Sequence, residues 1–322
     1  MKEKHRVYSI DLLRVIACML ITNSHFDGVY PLNISWGGCP GNCLFFMISG
    51  FLLAGTDFKN SNFKEWYWKK IIKIYIPLEI VAVIGSLIKY YTFRPSLFIF
   101  PVEQFWFIPT IVILYAVYFF IRKHADHYRF VFICIDFVVY IFFYLCVFNT
   151  NVFFVERHII YLVLYGFVAM MIGSHILERR ESYKDKNITY CIIIACLSIV
   201  GFLGIKLLIN KNSILALKLQ FLTHIFSILF SIALMIAMLT KEGISERIIK
   251  ERYIGKFLTI ISSSTLEIYL VQYMIISYLK QLAFPINFII ICISIVTAGF
   301  GVHWISDKIL KSVEIFIHRS DQ

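Results

Sequence analysis

Near the N-terminus, the stretch SIDLLRVIACMLITNSH sets Asp11, Arg14 and His25 in an otherwise apolar run from Ile10 to about Gly28. An imidazole can take or give a proton near neutral pH. A guanidinium can neutralise developing negative charge, and a carboxylate can hold the guanidinium in place. If the run is helical, at 100° per residue, Arg14 and His25 differ by roughly 20° after three full turns, and Asp11 lies about 60° from Arg14. The three then share a face, with Arg14 and His25 about 16 Å apart along the axis. Each ionisable group within a lipid-spanning helix costs ~2.5–3.5 kcal/mol on insertion scales, so this face must look into a helix bundle or a water-filled cavity. A structural alternative stays open: Asp11 and Arg14 pair with each other, and His25 sits at an interface to which its polar tip reaches.

Other polar groups interrupt apolar stretches further on: Glu79, Asp136, His175, His224, Glu267, Gln272 and His303. Singly, such groups are more often helix–helix hydrogen bonds than catalysts. Glu267 and Gln272, in SSSTLEIYLVQYMII, stand out, but five residues turn a helix by about 140° net, so only one of them can face a given site. Cys39 and Cys43 share a Gly-rich segment, GGCPGNC, read as a loop. Two free thiols are the expected state there, with pairing as the alternative in an oxidising compartment.

The elements that position these residues follow from composition. The chain has 322 residues, 59% hydrophobic and 16% charged, with 31 Phe and 19 Tyr. A soluble domain carries about 25% charged residues. Ten apolar spans appear at roughly 10–28, 42–56, 74–91, 105–121, 130–148, 158–177, 188–208, 218–239, 257–279 and 287–306. Span two is short and contains glycine, so it is expected to be tilted or partly re-entrant. The expected architecture is an all-α polytopic membrane bundle, a single membrane-embedded domain over 1–322 with no appended soluble domain. Of the Lys and Arg residues, 23 fall on the N-terminal side of this scheme and seven on the other, with Arg14 inside a span. The positive-inside rule therefore places both termini in the cytoplasm. The net charge of +11 is orientation charge in short clusters rather than a nucleic-acid footprint, so no nucleic-acid partner is expected. No Cys/His cluster has metal spacing, and no metal is expected.

These residues carry a likeness. Asp11, Arg14 and His25 match the opening Asp-x-x-Arg…His of the membrane acyltransferase type 3 family, which the first span resembles. FFMISGFL (45–52) looks like that family's Phe-Phe-x-x-Ser-Gly-Phe signature. KKIIKIYIP (69–77) is similar to its Arg-x-x-Arg before a Pro, with Lys70 and Lys73 in place of both arginines, and FWFI (105–108) and SSSTLEIYLVQ echo two further segments. Gln272 stands where a histidine is frequent, and Cys43 where Asp or Pro is frequent.

The resemblance implies transfer of an acyl group, commonly acetyl, from cytoplasmic acyl-CoA to a hydroxyl of a carbohydrate or glycolipid acceptor of the bacterial cell envelope. It implies a multi-pass protein of the bacterial plasma (inner) membrane, in contact with membrane lipids. His25 would be the general base or would itself carry the acyl group. Arg14 would stabilise negative charge or orient the donor, held by Asp11, and Lys70 and Lys73 would attract the phosphates of acyl-CoA, the only cofactor implied. Substrate contacts are assigned to Ser49, Trp106, Glu267 and Gln272. For Lys70 and Lys73 the plainer reading is topology, for Ser49-Gly50 close helix packing, and for Trp106 an interface aromatic. Two other classes stay in play: a transporter or flippase-like protein for serine, a sugar lipid or another solute using the same polar channel, and a scaffold subunit.

Overall fold

A computed structural model describes residues 6–32, 35–92, 94, 105–147, 155–156, 158–183, 187–211 and 214–320. Five of the basic residues counted for orientation, Lys2, Lys4, Arg157, Lys184 and Lys186, lie outside them. Among the described residues the structure is helical, with no strand. In chain order the helices are α1 (Tyr8–Ser24), α2 (Gly38–Leu53), α3 (Phe63–Leu87), α4 (Phe107–His124), α5 (Arg129–Phe142), α6 (Ile159–Glu178), α7 (Thr189–Asn210), α8 (Ile214–Lys218), α9 (Leu222–Thr240), α10 (Glu242–Lys250), α11 (Ile254–Ser263), α12 (Thr265–Leu279) and α13 (Ile286–Ser320).

Each of the ten apolar spans falls on one helix or one helix pair. Among the described residues, six stretches are by themselves long and apolar enough to cross a membrane, and a seventh is the pair α11–α12. That pair differs from the single straight span expected at 257–279, because it bends by 81° at Ser264. The SSST run explains the break: serine and threonine hydroxyls compete for backbone hydrogen bonds and favour helix ends. The GGCPGNC segment also departs from expectation. It forms the opening turns of α2, so Cys39 and Cys43 are buried free thiols on a helix.

The bundle is built around α2, which packs on α6, α1 and α9, while α1 also meets α11, α10 and α12, and α12, α13 and α3 pack on one another. Two glycines set the α2–α6 distance. A Cβ on Gly50 would stand 1.9 Å from the Met170 carbonyl oxygen, and one on Gly173 would stand 1.9 Å from that of Met47. Backbones this close require small residues on both faces. As a result 61% of the apolar stretch of α6 is buried, against 11% for the stretch that includes α5. On α5 and α7, Phe130, Phe137, Phe142, Leu197 and Val200 point outward, more than half exposed. Contiguous apolar surface of this extent suits a lipid environment rather than water.

Candidate active site

α1 is anchored at its N-terminus by a carboxylate from another element. Glu242 of α10 accepts from the backbone N–H groups of Tyr8 (2.6 Å) and Ser9 (3.2 Å) and from the Ser9 hydroxyl. These donors belong to the helix's first turn, which has no partner of its own, and negative charge is favoured there. Asp11, next along, forms an ion pair with Arg6 at 2.7 Å and accepts from the Ser262 hydroxyl of α11 at 3.0 Å. The expected Asp11–Arg14 pair is therefore not formed. Asp11 faces the break between α11 and α12 and ties α1 to it, which leaves the Arg14 guanidinium directed elsewhere.

Arg14 faces a cavity of about 420 Å³. Ser49 and Phe45 of the FFMISGFL segment line it, together with Tyr115 of α4. Lys70, Lys73 and Pro77 of α3 stand on the same cavity, so both lysines are placed on a shared wall with Arg14 rather than dispersed over a loop. Lys70 lies over the Trp66 ring, with Nζ 6.0 Å from the centroid. Glu267, at the start of α12, completes this wall and meets His303 of α13 at 3.0 Å, both groups lining the cavity. Its second carboxylate oxygen is buried without a partner.

His25 follows the last turn of α1 and lines a second cavity of about 280 Å³. Its ring lies 4.4 Å from that of Tyr273. Trp106 is on this wall, as is Trp36. The chain enters α2 through Gly37, with φ 111°, a left-handed conformation in which a Cβ would also stand 2.7 Å from the Leu20 carbonyl oxygen. Only glycine fits here, and it lets the His25 end of α1 close against α2. Glu156 and Lys206, paired at 2.6 Å, line the same cavity.

Asp11, Arg14 and His25 thus serve different places. Arg14 belongs to the first cavity, His25 to the second, and Asp11 to the helix break. The two cavities share Ile21, Asn42 and Tyr269 as a common wall. Glu267 and Gln272 diverge as their spacing requires. Gln272 is fully buried, lines neither cavity, and neither of its amide atoms has a partner.

A family model described as an acyltransferase domain matches residues 7–306, nearly the whole chain. The chain belongs to the membrane acyltransferase type 3 family. Neither the curated proteins nor the solved structures provide a match. As a member of that family the chain is an enzyme, a transferase of acyl groups other than aminoacyl groups, and its apolar helices make it a multi-pass membrane protein. Within this acyltransferase the N-terminal signature residues Arg14, His25 and Ser49 all face cavities, although they lie on different helices or ends of helices.

Several cavity residues carried no signal in the sequence. Glu156 and Lys206 are 50 positions apart, and nothing local in the sequence pairs them. His303 was visible as an intramembrane histidine, but its pairing with Glu267 depends on how α12 and α13 cross. Asn42 and Tyr115 are ordinary polar residues in helices, and only the packing brings them to a cavity. Of the remaining polar groups, His224 is stacked on Tyr165 and bonded to the Tyr140 hydroxyl at 3.0 Å.

Proposed function

We propose that this acyltransferase moves an acyl group, acetyl in the simplest case, from acyl-CoA on the cytoplasmic side to a hydroxyl of a cell-envelope carbohydrate or glycolipid on the opposite side. The observation that carries this reading is the pair of cavities that share three lining residues, one holding Arg14, Lys70 and Lys73 beside Glu267 and Asp307, the other holding His25. The positive-inside rule puts the Arg14 cavity, with Lys70 and Lys73, toward the cytoplasm, and both termini with it. Lysines at that mouth act as point charges for the donor's phosphates, while the cavity's volume suits an acyl-pantetheine arm rather than the whole nucleotide. Arg14, farther in, orients the thioester.

On the other side, His25 takes the proton of the acceptor hydroxyl as that oxygen attacks the acyl carbon. Its ring is set by Tyr273 and by the chain turn at the end of α1. Trp106 and Trp36 provide flat apolar faces of the kind that sugar rings stack on, and the Glu156–Lys206 pair offers polar contacts in the same cavity. Bringing two substrates to one wall from opposite sides lets neither cross the membrane, so the helices need only hold positions. The host membrane in this reading is a bacterial plasma membrane.

The test uses the purified full chain in proteoliposomes, with acetyl-CoA labelled in the acetyl group and glycan-bearing membranes of the expressing host as acceptor. Label should move into the glycan fraction and free CoA should accumulate in step. Acetyl-CoA left intact by active-site-competent protein, with every glycan preparation, overturns the donor assignment.

A further inference from the structure

Among the described residues, the two cavities share three side chains, Ile21, Asn42 and Tyr269, and two of these are polar. Asn42 is 9% exposed and Tyr269 7%, yet neither the Asn42 Oδ1 nor the Tyr269 hydroxyl has a hydrogen-bond partner. Leaving a buried amide or hydroxyl unpaired costs ~1–3 kcal/mol each, and an unsatisfied group in a native structure calls for an explanation. Both groups are held firmly. Beside Asn42, a Cβ on Gly41 would stand 2.7 Å from Ile21 Cγ1 and 2.9 Å from the Ala17 carbonyl oxygen, so α2 is pressed onto α1 at this level. The Tyr269 ring sits among Phe105, Phe107 and Tyr273, with centroids 6.3, 5.8 and 6.1 Å away.

We infer that Asn42 and Tyr269 form the oxyanion-binding pair of the transfer reaction. The inference rests on the donor and acceptor sides proposed above. An acyl group entering from the Arg14 cavity and a hydroxyl entering from the His25 cavity meet at this wall. There the acceptor oxygen bonds to the thioester carbonyl carbon, the carbonyl π pair moves onto oxygen, and the acceptor proton passes to His25. When the tetrahedral centre collapses, the oxygen pair re-forms the carbonyl, the C–S bond breaks and its pair leaves on sulfur; the CoA thiolate takes a proton from water on its own side, and His25 gives its proton to water on the acceptor side. Charge develops on the carbonyl oxygen between these two events. Whichever way the Asn42 amide is turned, its N–H₂ end can donate, and the Tyr269 O–H can donate alongside it. Donors fixed before the reaction stabilise the oxyanion without rearranging.

The test compares Asn42→Leu and Tyr269→Phe with the parent enzyme and with His25→Ala, using acetyl-labelled acetyl-CoA as donor and host glycan membranes as acceptor. Binding of acetyl-CoA is measured separately by calorimetry. Each wall variant should lose about 10²–10³-fold in kcat, with the KM for acetyl-CoA and its calorimetric affinity within about twofold of the parent. Unchanged kcat in both variants, with His25→Ala inactive, overturns the oxyanion pair and leaves the acyl-transfer reading standing. Loss of acetyl-CoA binding in step with kcat also overturns it, since the wall would then be structural. No transfer by the parent, or equal transfer by His25→Ala, overturns the reading itself and the pair with it.

Discussion

His25 makes no side-chain hydrogen bond among the described residues; the Tyr273 ring and the end of α1 fix it instead. A base held by packing alone depends on its imidazole for chemistry and not for stability. His25→Ala should therefore lower acyl transfer by about 10²–10⁴-fold, while yield and elution as a single species in detergent stay at the parental level. Lys70 and Lys73 are on the same cavity as Arg14. Replacing both with glutamate should raise the KM for acyl-CoA by about tenfold or more, a change of about 1.4 kcal/mol, with an effect that shrinks as salt is added. An unchanged KM would reduce the lysines to orientation charges. The Glu267–His303 pair, at 3.0 Å beneath the same cavity, makes a different prediction. Truncating one partner leaves the other buried and polar, which is more damaging than losing both. His303→Ala alone should lower the Tm, and adding Glu267→Gln should restore part of the loss, as thermal unfolding in detergent would read.

At the scale of elements, the α2–α6 contact decides whether the cavities exist. With backbone oxygens 1.9 Å from where a Cβ would sit, Gly50→Leu or Gly173→Leu forces the two helices apart. Overpacking in a tight core typically costs about 1–3 kcal/mol, and a backbone obstacle cannot rotate away as a side chain can. Either variant should show a lower Tm and reduced activity together, and a parental Tm would mean that α2 and α6 do not pack this closely. Span nine shows a different limit. Its apolar period reads as one continuous span, yet the SSST run, the Asp11–Ser262 hydrogen bond and the 81° bend turn it into two helices that place Glu267 on the first cavity. The serines were visible in the sequence. The bend depends on what α1 offers to the break, which is a contact across 251 positions.

For the whole molecule, orientation is the property that most directly ties the cavities to their substrates. On the orientation proposed above, with both termini inside, Asp27 just after α1 would face outward and Asn60 between α2 and α3 would face the cytoplasm. In a background without native cysteines, Asp27→Cys should react with a membrane-impermeant maleimide on intact cells, and Asn60→Cys should react only after permeabilisation. The opposite pattern would exchange the donor and acceptor cavities. The sequence by itself determined the solvent and the helical class, because lipid demands long apolar runs and leaves charge only at their ends. It also determined that α1 carries a polar face, because helical period is a local property. The tertiary structure alone decided that this face serves two cavities, that Asp11 is held by Arg6 and Ser262, and that Asn42 and Tyr269 stand between Arg14 and His25. The physical reason is that such partners come from helices far apart in the chain. Their meeting depends on crossing angles and on backbone contacts at single glycines, and neither leaves a periodic trace along the chain.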